Sequence, residues 1–271
     1  MGKKYLVLCL GSDETRMRKS DELAVAIEAA KKAGKTLLTA YGEPIVRYKA
    51  NGSLVTDADT RTEAMIKRAL QGSFPRYSFM GEESGFEDRG SDFVWLVDPL
   101  DGTTNFVVKN PFFAVSIGLA YRKQVIMGVV HYPFQDETFC AKRGEGAYLN
   151  EKPIKVSRRS NPETSVITFC HGRDRDSVAQ IIEIFGRLKA MNNRVRQVGA
   201  ASLELCYVAS GRTDCFLMPG VNAWDVGAGA VIVREAGGKV TDLQNRPFNT
   251  KSNSVLAANQ YLHKKMLALL G

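Results

Sequence analysis

The chain has 271 residues, of which 44% are hydrophobic, and it carries a formal net charge of +8 at pH 7 with a pI near 9.2. This length and composition are typical of a protein with a large buried core, in one domain or in two tightly packed halves. No apolar run approaches the roughly 18 residues that a membrane span needs, and no low-complexity segment or solenoid repeat divides the chain, so we expect no membrane partner.

The distribution of basic residues and cysteines bears on nucleic-acid binding and on cellular location. The basic residues occur in short runs such as Lys3-Lys4 and Arg158-Arg159, without interleaved aromatic residues. That pattern is typical of a solvated surface and makes nucleic-acid binding the weaker interpretation. The five cysteines form no Cys-x-x-Cys pair, which favours reduced thiols and a cytoplasmic location.

Residues 1–20 are interpreted as an N-terminal extension. The start MGKKYLVLCLG has a short apolar run, but no small-residue cleavage pattern follows it, so a signal peptide is disfavoured. Met17 lies just before the first helical pattern and is an alternative start, which would make residues 1–16 an appendage.

The first half of the chain begins with two helical patterns. Apolar residues at steps of three and four predict an amphipathic helix over residues 21–41, ended near Gly42 and Pro44. After a turn at Asn51-Gly52, Thr60 and Glu63 have the spacing of a capping box at the start of a second helix. Two aspartates, Asp57 and Asp59, therefore lie at the entrance of that helix.

Strand patterns follow, and then strands and helices alternate. Consecutive strands with short turns predict an antiparallel sheet, over residues 93–97, 113–121, 125–132 and 138–142. Later strands are predicted over residues 166–170, 215–218, 239–243 and 255–258. Later helices are predicted over residues 177–189, 200–210 and 225–236, with a final helix at the C-terminus. The alternation predicts layered α/β packing, and we interpret residues 21–271 as one catalytic domain whose halves, 21–153 and 154–271, share one site.

The stretch WLVDPLDGTTNF, residues 95–106, places two aspartates three residues apart at the end of an apolar strand. Pro99 cannot continue a ladder in its interior, so we expect the backbone to turn there and to aim Asp98 and Asp101 at one point. A hard divalent cation such as Mg²⁺ would remove their repulsion, and the N–H groups of Gly102 and Thr103 at a helix start would suit a phosphate. From this stretch alone, a turn whose acids only cap a helix explains the pattern equally well.

Two further acidic segments resemble a known pattern when they are read together with this one. GEES contains Glu82 and WDVGAGAVIVREAGG contains Asp225; with DPLDGTTNF, in this order, they resemble the signatures of the inositol monophosphatase family. That family is part of the Mg²⁺-dependent, lithium-sensitive phosphatase superfamily that includes fructose-1,6-bisphosphatase. The resemblance extends over about residues 21–270 through PFFAVSIGLAY, GEGAYLN and VGAASLELCYVASG, and it implies an αβαβα sandwich and a cytoplasmic homodimer.

The resemblance also implies a set of ligands for two to three Mg²⁺ ions per site. One ion would be held by Glu82, Asp98 and the backbone carbonyl of Leu100. A second would be held by Asp98, Asp101 and Asp225, so that Asp98 bridges the two, and a third, weaker ion would depend on Glu82.

The remaining site residues implied by the resemblance bind the substrate or act on water. The substrate residues are Asp101, Gly102, Thr103, Gly199, Ala200, Ala201, Met218 and Asp225, of which Gly102 and Thr103 hold the phosphate and Gly199–Ala201 line the alcohol side. Glu82 and Thr103, with Asp59 behind them, would orient and deprotonate the attacking water, so that no covalent enzyme intermediate is needed.

The substrate implied is a small phosphorylated polyol or sugar, with inositol 1-phosphate as the best single choice. Many inositol-selective members have an acid where this chain has Met218, and often Thr where it has Ala200. An apolar Met removes a polar contact to inositol, so fructose-1,6-bisphosphate, other sugar phosphates and histidinol phosphate stay open. His171, Arg173 and Arg175 are candidates for contacts to a second phosphate, although a solvated loop also explains them.

Other functions fit the sequence less well. A haloacid-dehalogenase-type phosphatase needs a D-x-D pair after a long apolar strand. Asp57 and Asp59 have that spacing, but no long apolar strand precedes them. GAGA at residues 227–230 follows no strand, so close helix packing is preferred to a dinucleotide site. The three histidines match no zinc or hydrolase pattern. An alternative of another class is a protein that chiefly binds RNA or the transcription machinery, motivated by the positive charge.

Overall fold

The computed structural model describes residues 21–42, 45–48, 52 and 54–270. The predicted extension, the alternative start at Met17 and Asn51 of the predicted turn lie outside these residues. The described helices are α1 (Glu22–Ala40), α2 (Asp57–Ser73), α3 (Thr103–Val107), α4 (Arg175–Met191), α5 (Ala201–Ala209), α6 (Ala223–Glu235) and α7 (Gln260–Leu270).

The described strands form a short hairpin, a large sheet and a small sheet. The hairpin is β1 (Val46–Tyr48) and β2 (Leu54–Thr56). The large sheet contains β3 (Ser78–Gly81), β4 (Gly85–Glu87), β5 (Phe93–Asp101), β6 (Ala114–Tyr121), β7 (Gln124–Tyr132), β8 (Glu137–Lys142), β9 (Ala147–Leu149) and β10 (Lys152–Pro153). The small sheet contains β11 (Ile167–Phe169), β12 (Val195–Arg196), β13 (Cys215–Pro219), β14 (Lys239–Thr241) and β15 (Ser254–Ala258).

Helices and sheets alternate in layers. Helices α1 and α2 pack on one face of the large sheet, α5 and α6 pack between the two sheets, and α4 and α7 cover the outer face of the small sheet. The outer helices α1, α2, α4 and α7 each bury one apolar stripe, whereas α5 and α6 are buried on nearly every side. Each sheet buries both faces, which explains why the long sheet strands are almost continuously hydrophobic. The predicted αβαβα sandwich is confirmed.

The large sheet has the order β10-β9-β8-β7-β6-β5-β3-β4. The predicted antiparallel pairing is confirmed for β5 through β8. Strand β3 runs parallel to β5 and pairs Gly81 with Val97. Because the two strands end side by side, this pairing brings Glu82, the residue after β3, next to Asp98.

The small sheet has the order β12-β11-β13-β15-β14. Strands β12, β11 and β13 are parallel, whereas β15 is antiparallel to both β13 and β14. The carboxyl ends of parallel strands meet at one edge of a sheet, so the segments 197–200, 170–174 and 220–222 lie together there. This edge carries the loop that leads into α5 and the loop that leads into α6.

The GAGA segment lies in α6, where small residues allow close packing. A Cβ built on Gly229 would lie 2.6 Å from Leu205 Cβ of α5. A Cβ built on Gly128 of β7 would lie 2.5 Å from the carbonyl oxygen of Ala228 in α6. The glycines therefore let α6 pack tightly against both α5 and the large sheet, in agreement with the interpretation as a packing motif.

Two local predictions are wrong. The capping box of α2 is made by Thr56 and Asp59, since Thr56 N donates to Asp59 Oδ2 (2.8 Å) and Asp59 N donates to Thr56 Oγ1 (3.4 Å). Thr56 is the last, extended residue of β2 and can cap, whereas Thr60 already lies inside the helix. Strand β5 also does not end at Pro99, because a bulge between Asp98 and Asp101 carries pairing with β6 as far as Asp101.

Two further properties of the described residues concern membrane-spanning helices and disulfides. No helix among them is long and apolar enough to cross a membrane. Four of the five cysteines lie within the described part of the chain, and no disulfide joins any two of these four: Cys140, Cys170, Cys206 and Cys215.

Candidate active site

The bulge in β5 forms the centre of the site. Asp98 is 3% exposed, and its Oδ1 accepts a hydrogen bond from Leu100 N (3.0 Å) across Pro99. Pro99 has no N–H to donate, so it fits a bulge in which the ladder is interrupted. As a result, Asp98 and Asp101 leave the same short segment of backbone with their carboxylates close together.

Gly102 ends this segment and is the N-cap of α3. Its φ is 95°, a conformation that favours glycine, and a Cβ there would lie 3.1 Å from Phe112 O and 3.2 Å from Ala200 Cβ. The first N–H groups of α3, starting with Thr103, have no intrahelical acceptor. The turn at Gly102–Thr103 therefore lies directly against Ala200, and both predicted substrate segments meet.

Asp101 connects this turn to the start of α5. Its carboxylate accepts hydrogen bonds from Ala201 N (2.9 Å), Ser202 N (2.7 Å) and Ser202 Oγ (2.5 Å). A carboxylate at a helix N-terminus is favoured by the unsatisfied N–H groups there. Burial raises the pKa of Asp101 to about 6, against these hydrogen bonds. Ser202 was not identified from the sequence, because its spacing to Asp101 gives no local signal.

Asp225 lies in the first turn of α6. Its Oδ2 accepts from Asn222 N (2.9 Å) and from Asn222 Nδ2 (3.1 Å), which forms a capping box. Burial, with the nearby carboxylates of Glu82 and Asp101, raises the pKa of Asp225 to about 7. Asp225 is thus both the expected helix cap and a member of the acidic cluster.

Glu82 is held in place by Glu63 of α2. Glu82 N donates to Val97 O (3.1 Å), which extends the β3–β5 pairing by one residue. The Glu63 carboxylate accepts from Glu83 N and Ser84 N, each at 2.8 Å, and so holds the turn after Glu82. Glu63 is therefore not the predicted capping partner of Thr60 but a support for the turn that carries Glu82.

Asp59 and Thr103 form the predicted pair. Thr103 Oγ1 lies 3.3 Å from Asp59 Oδ1 and 3.2 Å from Leu100 O, and it can donate to either. Asp59 is 1% exposed, and its other oxygen accepts from Thr56. Burial, with the nearby carboxylate of Glu82, raises the pKa of Asp59.

Neighbouring carboxylates raise the pKa values of Asp98 and Asp225. Burial raises the pKa of Asp98 well above its usual range, and Glu82, Asp101 and Asp225 raise it further. Strands β3 and β5 and helices α2 and α6 each contribute to this cluster, so the fold brings together acids that are up to 166 positions apart in the chain, from Asp59 to Asp225. A cluster of carboxylates favours a cation, because a cation stabilises their charged forms.

The oxygen donors match the ligands that hard divalent cations take in proteins. Within the described residues, however, no group of three or more His, Cys, Asp and Glu side chains is drawn together closely enough to form a ready-made metal site. The physical reason is visible in the contacts above, since Asp101 and Asp225 are oriented by helix N–H groups and by Asn222. The ligand set thus stays a prediction.

Met218 and the basic residues of the 171–175 segment lie at the edge of the small sheet. Met218 is near the end of β13, is 7% exposed, and is adjacent to Cys170, whose N donates to Leu217 O (3.2 Å). The Cys170 thiol donates to Glu204 Oε1 (3.1 Å), which also accepts from Gly199 N (2.9 Å). Arg173 is exposed beside this edge. The predicted roles of Met218 and Arg173 are not tested by these contacts.

Comparison with known proteins identifies the family. The sequence model of the inositol monophosphatase family matches residues 19–270. The chain is 36% identical over 260 residues to the inositol-1-monophosphatase of Mesorhizobium japonicum, covering 93% of this chain and 96% of that protein. It is 37% identical over 257 residues to the Nus factor SuhB of Pseudomonas aeruginosa, covering 92% and 95%.

A solved structure gives the same result. The extragenic suppressor protein suhB of Bartonella henselae superimposes with a TM-score of 0.87 at 36% identity, covering 93% of this chain and 98% of that one. Fold and site together define a phosphatase of the phosphoric monoester hydrolase class. The chain belongs to the inositol monophosphatase family, whose members are generally metal-dependent.

Proposed function

We propose that the protein is a Mg²⁺-dependent phosphomonoesterase that hydrolyses inositol 1-phosphate or a related sugar phosphate. The observation that carries the proposal is that Glu82 and Asp101 lie close enough to Asp98 and Asp225 to raise the pKa values of those two buried carboxyls, beside the turn at Gly102–Thr103. A cluster of acids next to free helix N–H groups suits a cation and a phosphate together.

The metal ligands in this proposal are those of the family resemblance. Glu82, Asp98 and the Leu100 carbonyl would hold one Mg²⁺, and Asp98, Asp101 and Asp225 would hold the second. Bound there, Mg²⁺ supplies charge neutralisation for the phosphate and for the leaving oxygen and lowers the pKa of water. Support comes from the four acids being partly or fully buried and mutually repulsive, a state that costs free energy unless a cation or protons compensate it.

The chain's own residues account for the movement of the proton. The attacking water oxygen forms a bond to phosphorus and passes a proton towards Thr103 Oγ1 and Asp59, whose facing oxygens are 3.3 Å apart. Because burial and Glu82 raise the pKa of Asp59, its carboxylate is a stronger base than an exposed aspartate. The ester P–O bond breaks with its electron pair on the alcohol oxygen, which takes a proton from solvent.

The phosphate and the alcohol have separate binding segments in this proposal. The N–H groups at Gly102–Thr103 bind the phosphate, and Gly199–Ala201 line the alcohol, with Met218 further along the small sheet. Ala200 is fully buried and offers no hydroxyl, and Met218 offers no carboxylate. A substrate whose alcohol needs fewer polar contacts than inositol therefore stays in competition, as fructose-1,6-bisphosphate and histidinol phosphate do.

A phosphate-release assay tests the proposal directly. Inositol 1-phosphate, fructose-1,6-bisphosphate and histidinol phosphate are each assayed with Mg²⁺, with EDTA and with Mg²⁺ plus lithium. We expect Mg²⁺-dependent release from inositol 1-phosphate, loss of release in EDTA and inhibition by lithium. Absence of release from all three esters in the presence of Mg²⁺ would refute the proposal.

One observation favours a second candidate function. A relative that is 37% identical is named a Nus factor, and this chain has a net charge of +8. In this alternative the protein chiefly binds RNA or the transcription machinery, and the acidic cluster has no catalytic role. Steeply salt-dependent binding to RNA, together with no phosphate release, would reverse the order of the two candidates.

A further inference from the structure

Asn105 is buried at the junction of the two substrate-binding segments, and its side chain has no role in the chemistry described above. It is 9% exposed. Its Nδ2 donates to Phe112 O and to Val198 O, both at 2.8 Å, and its Oδ1 accepts from Asn110 Nδ2 at 3.0 Å. One amide group therefore binds two backbone carbonyls that are 86 positions apart.

The two carbonyls belong to different halves of the chain. Phe112 lies two residues before Ala114, which pairs with Asp101, so it is fixed to the strand that carries the phosphate turn. Val198 is the residue before Gly199, where the alcohol-binding loop begins. Asn105 itself lies in α3, two residues after Thr103. Its hydrogen bonds thus join the phosphate turn to the alcohol loop.

The junction has little free space. A Cβ on Gly199, whose φ is 93°, would lie 3.3 Å from Asn105 Nδ2. A Cβ on Gly102 would lie 3.3 Å from Gly199 O. Two carbonyl oxygens repel each other unless a donor lies between them, and the Asn105 amide supplies both donors. Loss of that amide would release the two segments from each other.

We propose that Asn105 is a positioning residue that sets the distance between the phosphate turn at Gly102–Thr103 and the alcohol loop at Gly199–Ala201. The roles of those two segments rest on the proposed function. Phosphate and alcohol are the two ends of one substrate molecule, so their subsites must keep a fixed separation. A displacement of about 1 Å in such a site is enough to reduce the rate about 100-fold.

Asn192 offers a matched control. It is 2% exposed, its Nδ2 donates to Pro162 O (2.6 Å) and Ser165 O (2.7 Å), and its Oδ1 accepts from Arg194 N (2.7 Å). As in Asn105, Nδ2 donates to two backbone carbonyls, but Oδ1 of Asn192 accepts from a backbone N–H where that of Asn105 accepts from a side-chain amide. Asn192 lies before β12, at the opposite end of that strand from the alcohol loop. Its substitution would cost stability without changing the separation of the two subsites.

The kinetic test compares Asn105→Ala and Asn105→Asp with Asn192→Ala and Asn192→Asp in the full chain with Mg²⁺. Each is assayed on inositol 1-phosphate and on phenyl phosphate, whose alcohol has no hydroxyl groups to align. We expect kcat/KM of the Asn105 variants to fall about 100-fold on inositol 1-phosphate and about tenfold or less on phenyl phosphate. The Asn192 variants should affect both substrates equally. Equal losses on both substrates in the Asn105 variants would overturn the proposal.

A second measurement does not depend on activity. Amide hydrogen exchange of residues 198–203 is followed without substrate, and we expect faster exchange in Asn105→Ala and no change in Asn192→Ala. Unchanged exchange in Asn105→Ala would overturn the proposal, whether or not the wild type is active. Inactivity of the wild type on every ester would refute only the proposed function. Failure of both Asn105 variants to fold, with both Asn192 variants folded, would show a role in folding instead and would also overturn it.

Discussion

Glu63 provides a sharp test of how the turn after β3 is held. Its carboxylate is 3% exposed and accepts two backbone hydrogen bonds of 2.8 Å, from Glu83 N and Ser84 N. It also lies against Gly81, where a Cβ would come within 2.5 Å of Glu63 Oε2. In Glu63→Gln the side chain keeps its size, but one acceptor becomes an NH₂ group that faces an N–H.

The expected loss of stability follows from these contacts. One charge-assisted hydrogen bond disappears and the other becomes neutral, which costs about 2 to 3 kcal/mol in the free energy of unfolding. A cost of that size lowers Tm by about 4 to 5 °C in a chain of this length. Because the same turn carries Glu82, we also expect a higher Mg²⁺ concentration for half-maximal activity.

Urea denaturation of the full chain measures the free energy of unfolding, and a Mg²⁺ titration of phosphate release measures the second effect. Glu28→Gln is the control, since Glu28 is an exposed glutamate of α1. A free energy of unfolding within about 0.5 kcal/mol of the wild type, the range usual for surface substitutions, would refute the reasoning. Lost stability with an unchanged Mg²⁺ requirement would refute only the link between Glu63 and Glu82.

Three further predictions concern the acidic cluster, the specificity and the pH dependence. Asp98→Asn should abolish phosphate release, and near-normal turnover would contradict the metal assignment. The metal-free variant should be no less stable than the wild type, because burial and like charges raise the pKa of Asp98 and so destabilise its charged form. Met218→Glu should raise the kcat/KM ratio of inositol 1-phosphate to fructose-1,6-bisphosphate by about 10- to 100-fold, the value of one hydrogen bond to a charged group, and an unchanged ratio would remove Met218 from the specificity argument. Burial lowers the pKa of His131 to about 4, so its contribution to the free energy of unfolding is complete above about pH 6.5 and is lost as the pH falls towards 4. His131→Asn should therefore make the urea midpoint less dependent on pH over that range, by an amount equivalent to about 3 kcal/mol.

Two controls make these results specific. Asp214 is a buried carboxylate that accepts from Ser157 Oγ (2.6 Å) and Val166 N (2.7 Å), outside the acidic cluster. Asp214→Asn should lower stability without abolishing turnover, the opposite of Asp98→Asn. Burial also lowers the pKa of His263 to about 4, so part of the loss of stability at low pH should persist in His131→Asn and become smaller when both histidines are replaced. A pH profile of His131→Asn identical to that of the wild type would contradict the assignment to His131.

Local sequence patterns were sufficient for most of the secondary structure. The helix predicted over residues 21–41 and the strands predicted over 93–97 and 125–132 correspond to α1, β5 and β7. Their apolar periodicity is strong because each buries a continuous face. The errors occurred where two local signals compete: Thr56 and Thr60 both precede an acid by three residues, and only the end of β2 decides which of them is the cap.

The sequence determined the identity of the acids, Glu82, Asp98, Asp101 and Asp225, because each belongs to a short motif that can be recognised without a structure. Tertiary structure alone decided how they are held. Parallel pairing of β3 with β5 brings Glu82 beside Asp98, and Ser202 with the start of α5 orients Asp101. Asn105 bonds the backbone carbonyls of Phe112 and Val198. The physical reason is that these supports are hydrogen bonds between groups far apart in the chain, and no local pattern specifies which distant donor a buried acceptor will meet.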